Sequence, residues 1–195
     1  SIGDIGSNEA EIHTIMHDFN LPYKFSEEVE KETDKLNDII SEKEIGKRKD
    51  LRKEISFTID PDDAKDFDDA LSIKINNNLY EIGIHIADVS HFFNTKGFIN
   101  KEAEKRATSV YLVDRTIPML PEKLSNDLCS LRPNVDRLTF SVLIKMNKDY
   151  EIVDKWTGRT VIHSKKRFTY ENAQDNIDQN EGEFLDCLLY TSDAA

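Results

Sequence analysis

Residues 58–70 form an acidic stretch that restricts the folds open to this chain. Six aspartates lie within the ten positions 60–69, with one lysine, Lys65, among them. Carboxylates crowded into a folded site repel one another and raise one another's pKa values unless a cation lies between them. The stretch is flanked by residues 55–59 and 70–75, whose alternating apolar residues are typical of half-buried strands. We therefore expect two packed strands to hold a concentrated negative charge, which a bound divalent metal ion would relieve.

The positions of the aspartates predict how they are presented. Asp60 closes the first strand, residues 61–65 have the composition of a turn, and Asp66 lies in the loop that follows. Asp68 and Asp69 open the second strand. Neighbouring residues of a regular strand face opposite ways, so these two carboxylates share a centre only through a turn or bulge, or else have different roles. Hard carboxylate oxygens favour Mg²⁺, Mn²⁺ or Ca²⁺ over zinc.

Other interpretations of the acidic stretch remain open from the residues alone. A calcium loop of the EF-hand type, registered from the first aspartate, needs an oxygen ligand, a glycine and a glutamate where the chain has Ala64, Lys65 and Leu71. A solvated acidic loop is another interpretation, although the carboxylates alternate with strand-forming residues. Carboxylates that hold Mg²⁺ without a nucleophilic Ser or Cys constellation favour phosphoryl transfer to water. A metal-dependent nuclease is therefore the leading hypothesis, with phosphatases and other Mg²⁺ enzymes as alternatives.

Composition and charge argue against some classes of protein. The formal net charge of −12 argues against a general nucleic-acid coat, since phosphate binding normally needs a surplus of Lys and Arg. No apolar run approaches the roughly 18 to 20 residues of a membrane helix, and the N-terminus lacks the pattern of a signal peptide. We therefore predict a cytoplasmic protein that does not enter a membrane. Its two cysteines, Cys129 and Cys187, have no partner ligands at metal spacing and are predicted to be free thiols.

Hydrophobic periodicity predicts a mixture of helices and strands. Helices are expected at 8–19, from 26 onward, at 98–107, at 122–127 and from 170 towards 177. The second of them is predicted to bury Val29, Leu36, Ile39 and Ile40. Strands are expected at 55–59, 70–75, 80–87, 137–146 and 151–164, with a short extended piece at 109–113. Antiparallel hairpins are predicted for 70–75 with 80–87 and for 137–146 with 151–164.

Four blocks of the sequence resemble the catalytic domain called RNB in the exoribonucleases of the ribonuclease II and ribonuclease R family. The blocks are residues 58–70, 84–90, 107–112 and 117–131, and their order and spacing are similar to those of the family. The leader at 19–52 resembles the segment that joins the cold-shock domains to RNB in ribonuclease R. The resemblance covers about residues 8–184. It implies an α+β fold with a mixed or antiparallel sheet and flanking helices, that is, a truncated RNB catalytic domain most similar to that of ribonuclease R.

The resemblance implies a specific activity. The protein would hydrolyse RNA processively from its 3′ end and release nucleoside 5′-monophosphates with Mg²⁺, or with Mn²⁺ in its place. The family's four catalytic aspartates are matched by Asp60, Asp66, Asp68 and Asp69. Of these, Asp60, Asp66 and Asp69 are implied to hold metal, whereas Asp68 is implied to be needed for cleavage and not for RNA binding.

Two tyrosines match positions at which the family contacts RNA. Tyr111 matches the aromatic residue that stacks on the 3′-terminal base, and Tyr170 matches a tyrosine that contacts the RNA and helps select ribose over deoxyribose. From spacing alone, Tyr111 would be a strand tyrosine used in packing and Tyr170 an aromatic residue at a helix start. His85 is interpreted as a core histidine, and residues 165–167 as a basic strand end that either meets phosphate or is simply exposed.

The resemblance also implies a division of the chain. Residues 1–54 are expected to be a helical, charged leader that joins upstream cold-shock domains to RNB, and residues 55–186 the N-terminal portion of the RNB domain. Residues 187–195 do not extend the preceding pattern, and they are predicted to be a non-native tail. The family's domain continues with an arginine, an aromatic clamp and a glutamate that complete its site. We therefore expect a truncated piece, inactive alone, of a monomeric enzyme whose partner is the 3′ end of single-stranded RNA.

Two functions of other classes are the alternatives. One is a non-catalytic, RNA-binding or regulatory relative with the same fold, which the presence of all four aspartates disfavours. The other is an acidic, calcium-binding structural loop, which would prefer Ca²⁺ to Mg²⁺ and would not hydrolyse RNA.

Overall fold

The structure is a computed structural model that describes residues 8–22, 24–76, 79–113, 115–180, 182 and 184–192. It divides into two compact units, of which the first holds residues 1–36 and 93–122 and the second holds residues 37–92 and 123–195. In the described part of the chain, no helix is long and apolar enough to cross a membrane.

The described segments contain both helices and strands. The α-helices are α1 (Asn8–Asp18), α2 (Glu27–Asp34), α3 (Glu42–Ile45), α4 (Phe98–Arg106), α5 (Tyr170–Gln179) and α6 (Leu185–Ser192). The strands are β1 (Lys49–Asp50), β2 (Ser56–Ile59), β3 (Asp69–Asn76), β4 (Leu79–Ala87), β5 (Val110–Tyr111), β6 (Thr116–Ile117), β7 (Asp136–Met146), β8 (Ile152–His163) and β9 (Lys166–Phe168). A 3₁₀ helix spans Val89–His91, and the short helix predicted at 122–127 is a π-helix, Lys123–Leu128.

The first unit packs its helices and a two-stranded ribbon around a small apolar cluster. Ile12 and Met16, one turn apart on α1, are buried together with Ile117 of β6. The predicted helix is therefore present with Ile12 and Met16 on its buried face, whereas Ile15 and Phe19, which helical spacing also placed on that face, are 40% and 72% exposed. Helix α2 supplies a cap to α4, because a carboxylate oxygen of Glu32 accepts a hydrogen bond from the backbone N–H of Phe98 at 2.6 Å.

The second predicted helix begins where expected but ends early. Ser26 caps its start, and α2 ends at Asp34. The side chain of Asn37 then accepts a hydrogen bond from the backbone N–H of Ile39 at 3.0 Å. Such a turn competes with helical hydrogen bonding, so the predicted buried face stops short. Three apolar residues predicted for that face lie beyond the helix, and one of them is 80% exposed: Leu36, Ile40 and the exposed Ile39.

The second unit contains a seven-stranded mixed sheet in the order β1-β8-β7-β4-β3-β2-β9. The outer pairs β1–β8 and β2–β9 are parallel, and the strands between them pair antiparallel. Both predicted hairpins, β3–β4 and β7–β8, are present. The predicted α+β class with a mixed sheet is therefore confirmed.

Four neighbouring strands begin or end on the same side of this sheet, and we call this set of strand ends the site end. Strand β2 ends at Ile59, β3 begins at Asp69, β4 ends at Ala87 and β9 ends at Phe168. Ile59 pairs with Phe168, and Asp69 pairs with Ile86, so the four ends lie side by side. The acidic stretch is the connection from β2 to β3 at this end.

Helices α5 and α6 contribute to the apolar core on one face of the sheet. Phe57, Ile73 and Ile82 are buried there in one cluster with Cys187 and Leu188. Residues 187–192 of the predicted non-native tail belong to α6, and Leu188 is only 1% exposed. Burial of Leu188 does not test whether this tail is native, because an apolar side chain that covers a sheet face is removed from water whatever the source of its sequence. The origin of residues 187–195 therefore stays a prediction. The predicted boundaries after 54 and 186 stay predictions as well.

Candidate active site

Asp60 is placed at the site end by the last hydrogen bond of the β2–β9 pair. Its backbone N–H donates to the carbonyl oxygen of Phe168 at 3.0 Å. The residue is 8% exposed, and within the described structure its buried carboxylate oxygen Oδ2 has no hydrogen-bond partner. A buried carboxylate oxygen without a partner is costly, and such atoms in folded proteins call for an explanation such as an ion or a catalytic role.

The charges of neighbouring aspartates act on Asp60. Burial raises the pKa of Asp60, and the negative charges of Asp69 and Asp68 raise it further. The Thr58 hydroxyl and the Arg167 guanidinium oppose this change in the pKa of Asp60. The mutual repulsion expected from the sequence is thus present in the fold.

Asp69, the first residue of β3, has a related environment. Loss of surrounding water raises its pKa, and the charge of Asp68 raises it further, although the Asp69 side chain is exposed at the surface. The carbonyl oxygen of Asp68 accepts the backbone N–H of Ala87 at 2.9 Å, which continues the β3–β4 ladder by one residue. Asp68 is exposed and Asp66 is half-buried. The structure therefore brings Asp60, Asp68 and Asp69 within electrostatic reach of one another.

A divalent cation matches this set of groups in chemistry. Carboxylate oxygens are the ligands that Mg²⁺ and Mn²⁺ prefer, and the partnerless oxygen of Asp60 is a donor available to an ion. In the described ranges, however, no three His, Cys, Asp or Glu side chains converge closely enough to hold one ion. The carboxylates therefore suit a divalent cation in their chemistry. To bind one ion together, their side chains must come closer to one another than they are in this structure.

The turn predicted after Asp60 is present and is held from β9. The backbone N–H of Ala64 donates to the carbonyl oxygen of Pro61 at 3.1 Å. Arg167 of β9 donates to the carbonyl oxygens of Pro61 and Asp62, the latter at 2.9 Å, and its guanidinium lies 5.5 Å from the ring centre of Phe67. The basic strand end at 165–167 thus has one member that grips the acidic stretch, a role that sequence reasoning missed. Asp62 and Asp63, the other two aspartates of the stretch, are exposed.

The two predicted RNA-contacting tyrosines lie in different units. Tyr170 begins α5 after the N-cap Thr169, directly beyond the end of β9, and therefore lies at the site end. Its side chain is exposed. Tyr111 lies in β5 of the first unit, pairs with Thr116, and is 66% exposed. Both rings are accessible to a base or sugar, and their contact with RNA stays a prediction.

His85 has the structural role predicted for it. It is 1% exposed, with Nδ1 2.7 Å from the hydroxyl of Ser141 and Nε2 2.9 Å from that of Ser72. Burial lowers the pKa of His85 to about 4, so the ring is neutral at pH 7. Gly83 is required beside it, because a Cβ at that position would lie 2.3 Å from the hydroxyl oxygen of Ser72. The prediction of a core histidine is confirmed, as is that of free thiols at both cysteines.

Comparison with known proteins identifies similar chains. A family model described as RNB domain matches residues 48–186. Ribonuclease R of Thermotoga maritima is 42% identical over 180 residues, which cover 91% of this chain and 25% of that protein. DIS3-like exonuclease 2 of Schizosaccharomyces pombe is 51% identical over 142 residues, which cover 72% of this chain and 15% of that protein.

A solved structure agrees with these matches. Mycoplasma genitalium RNase R in complex with ribose methylated single-stranded RNA aligns with a TM-score of 0.88 at 30% identity, over 97% of this chain and 30% of that chain. The chain therefore spans less than a third of the length of each of these proteins. The family match includes every predicted site residue: Asp60, Asp66, Asp68, Asp69, Tyr111 and Tyr170.

Proposed function

The chain belongs to the RNB family, and from this premise we propose that the whole protein hydrolyses RNA processively from the 3′ end and releases nucleoside 5′-monophosphates. The observation that supports this most is the buried Oδ2 of Asp60, which has no hydrogen-bond partner in the described structure and lies near two further carboxylates. A site of this kind is suited to a hard divalent cation, because the cation removes the repulsion among the carboxylates and allows an anionic phosphate to approach them.

In this proposal Asp60, Asp66 and Asp69 hold Mg²⁺, with Mn²⁺ as the alternative ion. A bound divalent ion supplies Lewis acidity at a phosphate oxygen. The chain's own contribution is the placement of the carboxylates: Asp60 at the end of β2 and Asp69 at the start of β3, held side by side by the sheet. Sites on rigid strands keep their groups in place better than sites on free loops do.

Asp68 is proposed to serve hydrolysis without holding the ion. Its side chain is exposed beside Asp60 and Asp69, and its backbone is fixed by the hydrogen bond to Ala87. An exposed carboxylate there accepts a hydrogen bond from water and so orients it for attack on a phosphate. Removal of Asp68 then affects cleavage more than it affects RNA affinity.

The RNA end is proposed to be held by the two exposed tyrosines. Tyr111 stacks on the terminal base, a contact worth about 1–3 kcal/mol per base and tolerant of sequence. Tyr170 contacts the sugar, where a 2′-hydroxyl distinguishes RNA from DNA. The proposed partner is therefore the 3′ end of single-stranded RNA, bound by a monomeric enzyme.

The test uses the whole protein with Mg²⁺ and single-stranded RNA labelled at its 3′ end. We expect release of labelled mononucleotide, a loss of at least about 100-fold for Asp68→Asn, and RNA affinity within about twofold of wild type. Asp63→Asn, which removes an exposed carboxylate of the same stretch, is the matched control and should leave both quantities unchanged. Absence of mononucleotide release, or release unaffected by Asp68→Asn, would refute the proposal.

A non-catalytic RNA-binding relative is the second candidate. It is favoured by one observation, namely that no three carboxylates among the described residues converge as ligands for an ion. This candidate predicts RNA binding that does not depend on Mg²⁺ and no mononucleotide at any ion concentration. The same assay therefore separates the two functions.

A further inference from the structure

Ser130 contacts the acidic stretch on both sides of Asp66, although 64 positions separate the two residues in the chain. Its hydroxyl donates to the carbonyl oxygen of Lys65 at 2.7 Å and accepts the backbone N–H of Phe67 at 3.2 Å. The next residue, Leu131, donates its own backbone N–H to the carbonyl oxygen of Phe67 at 2.7 Å. The peptide groups that flank Asp66 are thus fixed by one buried side chain and its neighbour.

We propose that Ser130 is a positioning residue that sets the backbone of Asp66 and thereby the direction from which the Asp66 carboxylate reaches the proposed ion site. The consequence for the ion site rests on the proposed function. The hydrogen bonds that Ser130 makes on both sides of Asp66, which we call the Ser130 bracket, are a property of the fold itself. Ser130 is fully buried, and its own carbonyl oxygen accepts from Nε of Arg137 at 2.8 Å. Ser130 is therefore joined to β7 through Arg137.

Other described residues of the connection between β2 and β3 lie nearer the surface than Ser130 does. Asp62 and Asp63 are exposed, and Asp66 itself is only half-buried. On the opposite side, Arg167 grips the carbonyl oxygens of Pro61 and Asp62. The two sets of hydrogen bonds hold different parts of the connection: Arg167 contacts the turn after Asp60, and Ser130 contacts the segment around Asp66. Groups that must meet at one ion need such support, because the geometry of a ligand is set by what holds it from behind.

The direct test is amide hydrogen exchange in the 195-residue chain. In Ser130→Ala the N–H of Phe67 loses its acceptor, and we expect it to exchange about tenfold faster or more. Ser141→Ala is the matched control, because Ser141 is also fully buried with two side-chain hydrogen bonds and its hydroxyl bonds to His85 and Thr160 instead of the acidic stretch. Exchange at Phe67 should be unchanged in that variant. If Ser130→Ala does not fold, Ser130→Cys retains the size of the side chain with weaker hydrogen bonding and gives an intermediate rate.

The second readout is the affinity of the same chains for Mn²⁺ alone, measured by titration. We expect the Kd to rise about tenfold in Ser130→Ala and to stay unchanged in Ser141→Ala, since loss of support behind a ligand typically weakens metal binding 10- to 100-fold. Equal exchange rates at Phe67 in wild type and Ser130→Ala, or equal effects of the two serine variants on Mn²⁺ affinity, would overturn the proposal. If wild type binds Mn²⁺ no better than Asp69→Asn does, the ligand assignment of the proposed function is wrong. The exchange rate at Phe67 alone then tests whether Ser130 holds the backbone around Asp66.

Discussion

The carboxylate of Asp60 is buried, and in the described structure its Oδ2 has no hydrogen-bond partner. Burial and the charges of Asp69 and Asp68 raise the pKa of Asp60, so the fold favours its protonated form relative to the unfolded chain. The ionised form of Asp60 is therefore less favourable in the fold than in the unfolded chain, and stability falls as the pH rises through the range in which Asp60 loses its proton. A residue selected for folding alone would not have this environment, which is what a catalytic carboxylate is expected to show.

Asp60→Asn is therefore expected to stabilise the metal-free chain at pH 7, because it removes a buried charge and retains the shape of the side chain. We expect a gain of about 1 kcal/mol, or 2–4 °C in Tm. The pKa of Asp60 is raised, so the penalty appears only as the pH rises above the ordinary carboxyl range, and the gain should shrink as the pH falls towards 4.

Thermal unfolding with and without Mn²⁺ checks this prediction. Mn²⁺ should raise the Tm of wild type and not that of Asp60→Asn. Asp63→Asn, on the exposed part of the same stretch, is the control and should behave like wild type. A lower Tm for Asp60→Asn at pH 7 would contradict the assignment.

The buried His85 is expected to make the fold less stable as the pH falls, which is the opposite of the effect expected for Asp60. Burial lowers its pKa to about 4 from the ordinary 6.5, so the folded protein binds fewer protons there than the unfolded chain does. The stability that depends on neutral His85 is complete above pH 6.5 and is lost as the pH falls towards 4, in total about 2–4 kcal/mol. Urea unfolding at a series of pH values should show a shallower slope for His85→Asn over this window.

At the scale of elements, a buried arginine ties α3 and β1 to the sheet. The Arg48 side chain is fully buried and pairs with Glu44 at 2.9 Å and with Asp88 at 2.8 Å. It also lies 3.4 Å from the carbonyl oxygen of Thr139 on β7 and 3.5 Å from that of Thr160 on β8. Asp88 follows β4 at the site end, so this network fixes the strand next to the acidic stretch.

Arg48→Met should destabilise the chain by about 3 kcal/mol, because it removes the nearest cation from the buried Asp88 carboxylate, which then keeps only Arg159 at 3.4 Å. Chemical unfolding measures this loss. Arg52→Met is the matched control, since Arg52 pairs with Asp50 and Asp136 at the partly exposed surface and should cost about 1 kcal/mol or less. Similar losses in the free energy of unfolding for the two variants would show that burial of the Arg48 ion pairs adds nothing to stability.

Prediction from sequence succeeded for elements whose signals are local. Alternating apolar residues placed β3 with β4 and β7 with β8, and helical spacing placed α1. The early end of α2 was missed because the Asn37 side chain bonds the backbone at Ile39, a contact that periodicity does not register. The candidate aspartates were chosen through density and resemblance and stay a prediction, whereas the contacts of Ser130 and Arg167 with the acidic stretch join residues more than 60 positions apart. No local pattern carries such contacts.

At the scale of the whole chain, the negative charge must be reconciled with the proposed RNA binding. The chain has 38 acidic and 26 basic residues, so net attraction to phosphate does not hold RNA to it. The remaining sources of affinity are stacking on exposed rings such as Tyr111 and a divalent ion shared between carboxylates and phosphate. Both act at short range, which favours recognition of one strand end over coating of long RNA.

The sheet also presents an uncovered apolar patch beside the acidic stretch. Ile86 of β4 pairs with Phe140 of β7 on one side and with Asp69 on the other, and Ile86 and Phe140 are each 48% exposed. Ile84, two residues along β4, shares this face and is 37% exposed. Contiguous apolar surface of this kind drives association.

We therefore expect the 195-residue chain to self-associate at micromolar concentration, and the double variant Ile86→Ser with Phe140→Ser to shift it towards monomer. Sedimentation velocity over a concentration series measures this. Ile39→Ser is the control, because Ile39 is 80% exposed but has no place in the sheet and should leave association unchanged. A wild-type chain that stays monomeric across the series would show that the patch is too small to drive association. If association is seen and the double variant removes it, the apolar face next to Asp69 is a surface that the chain leaves available for packing.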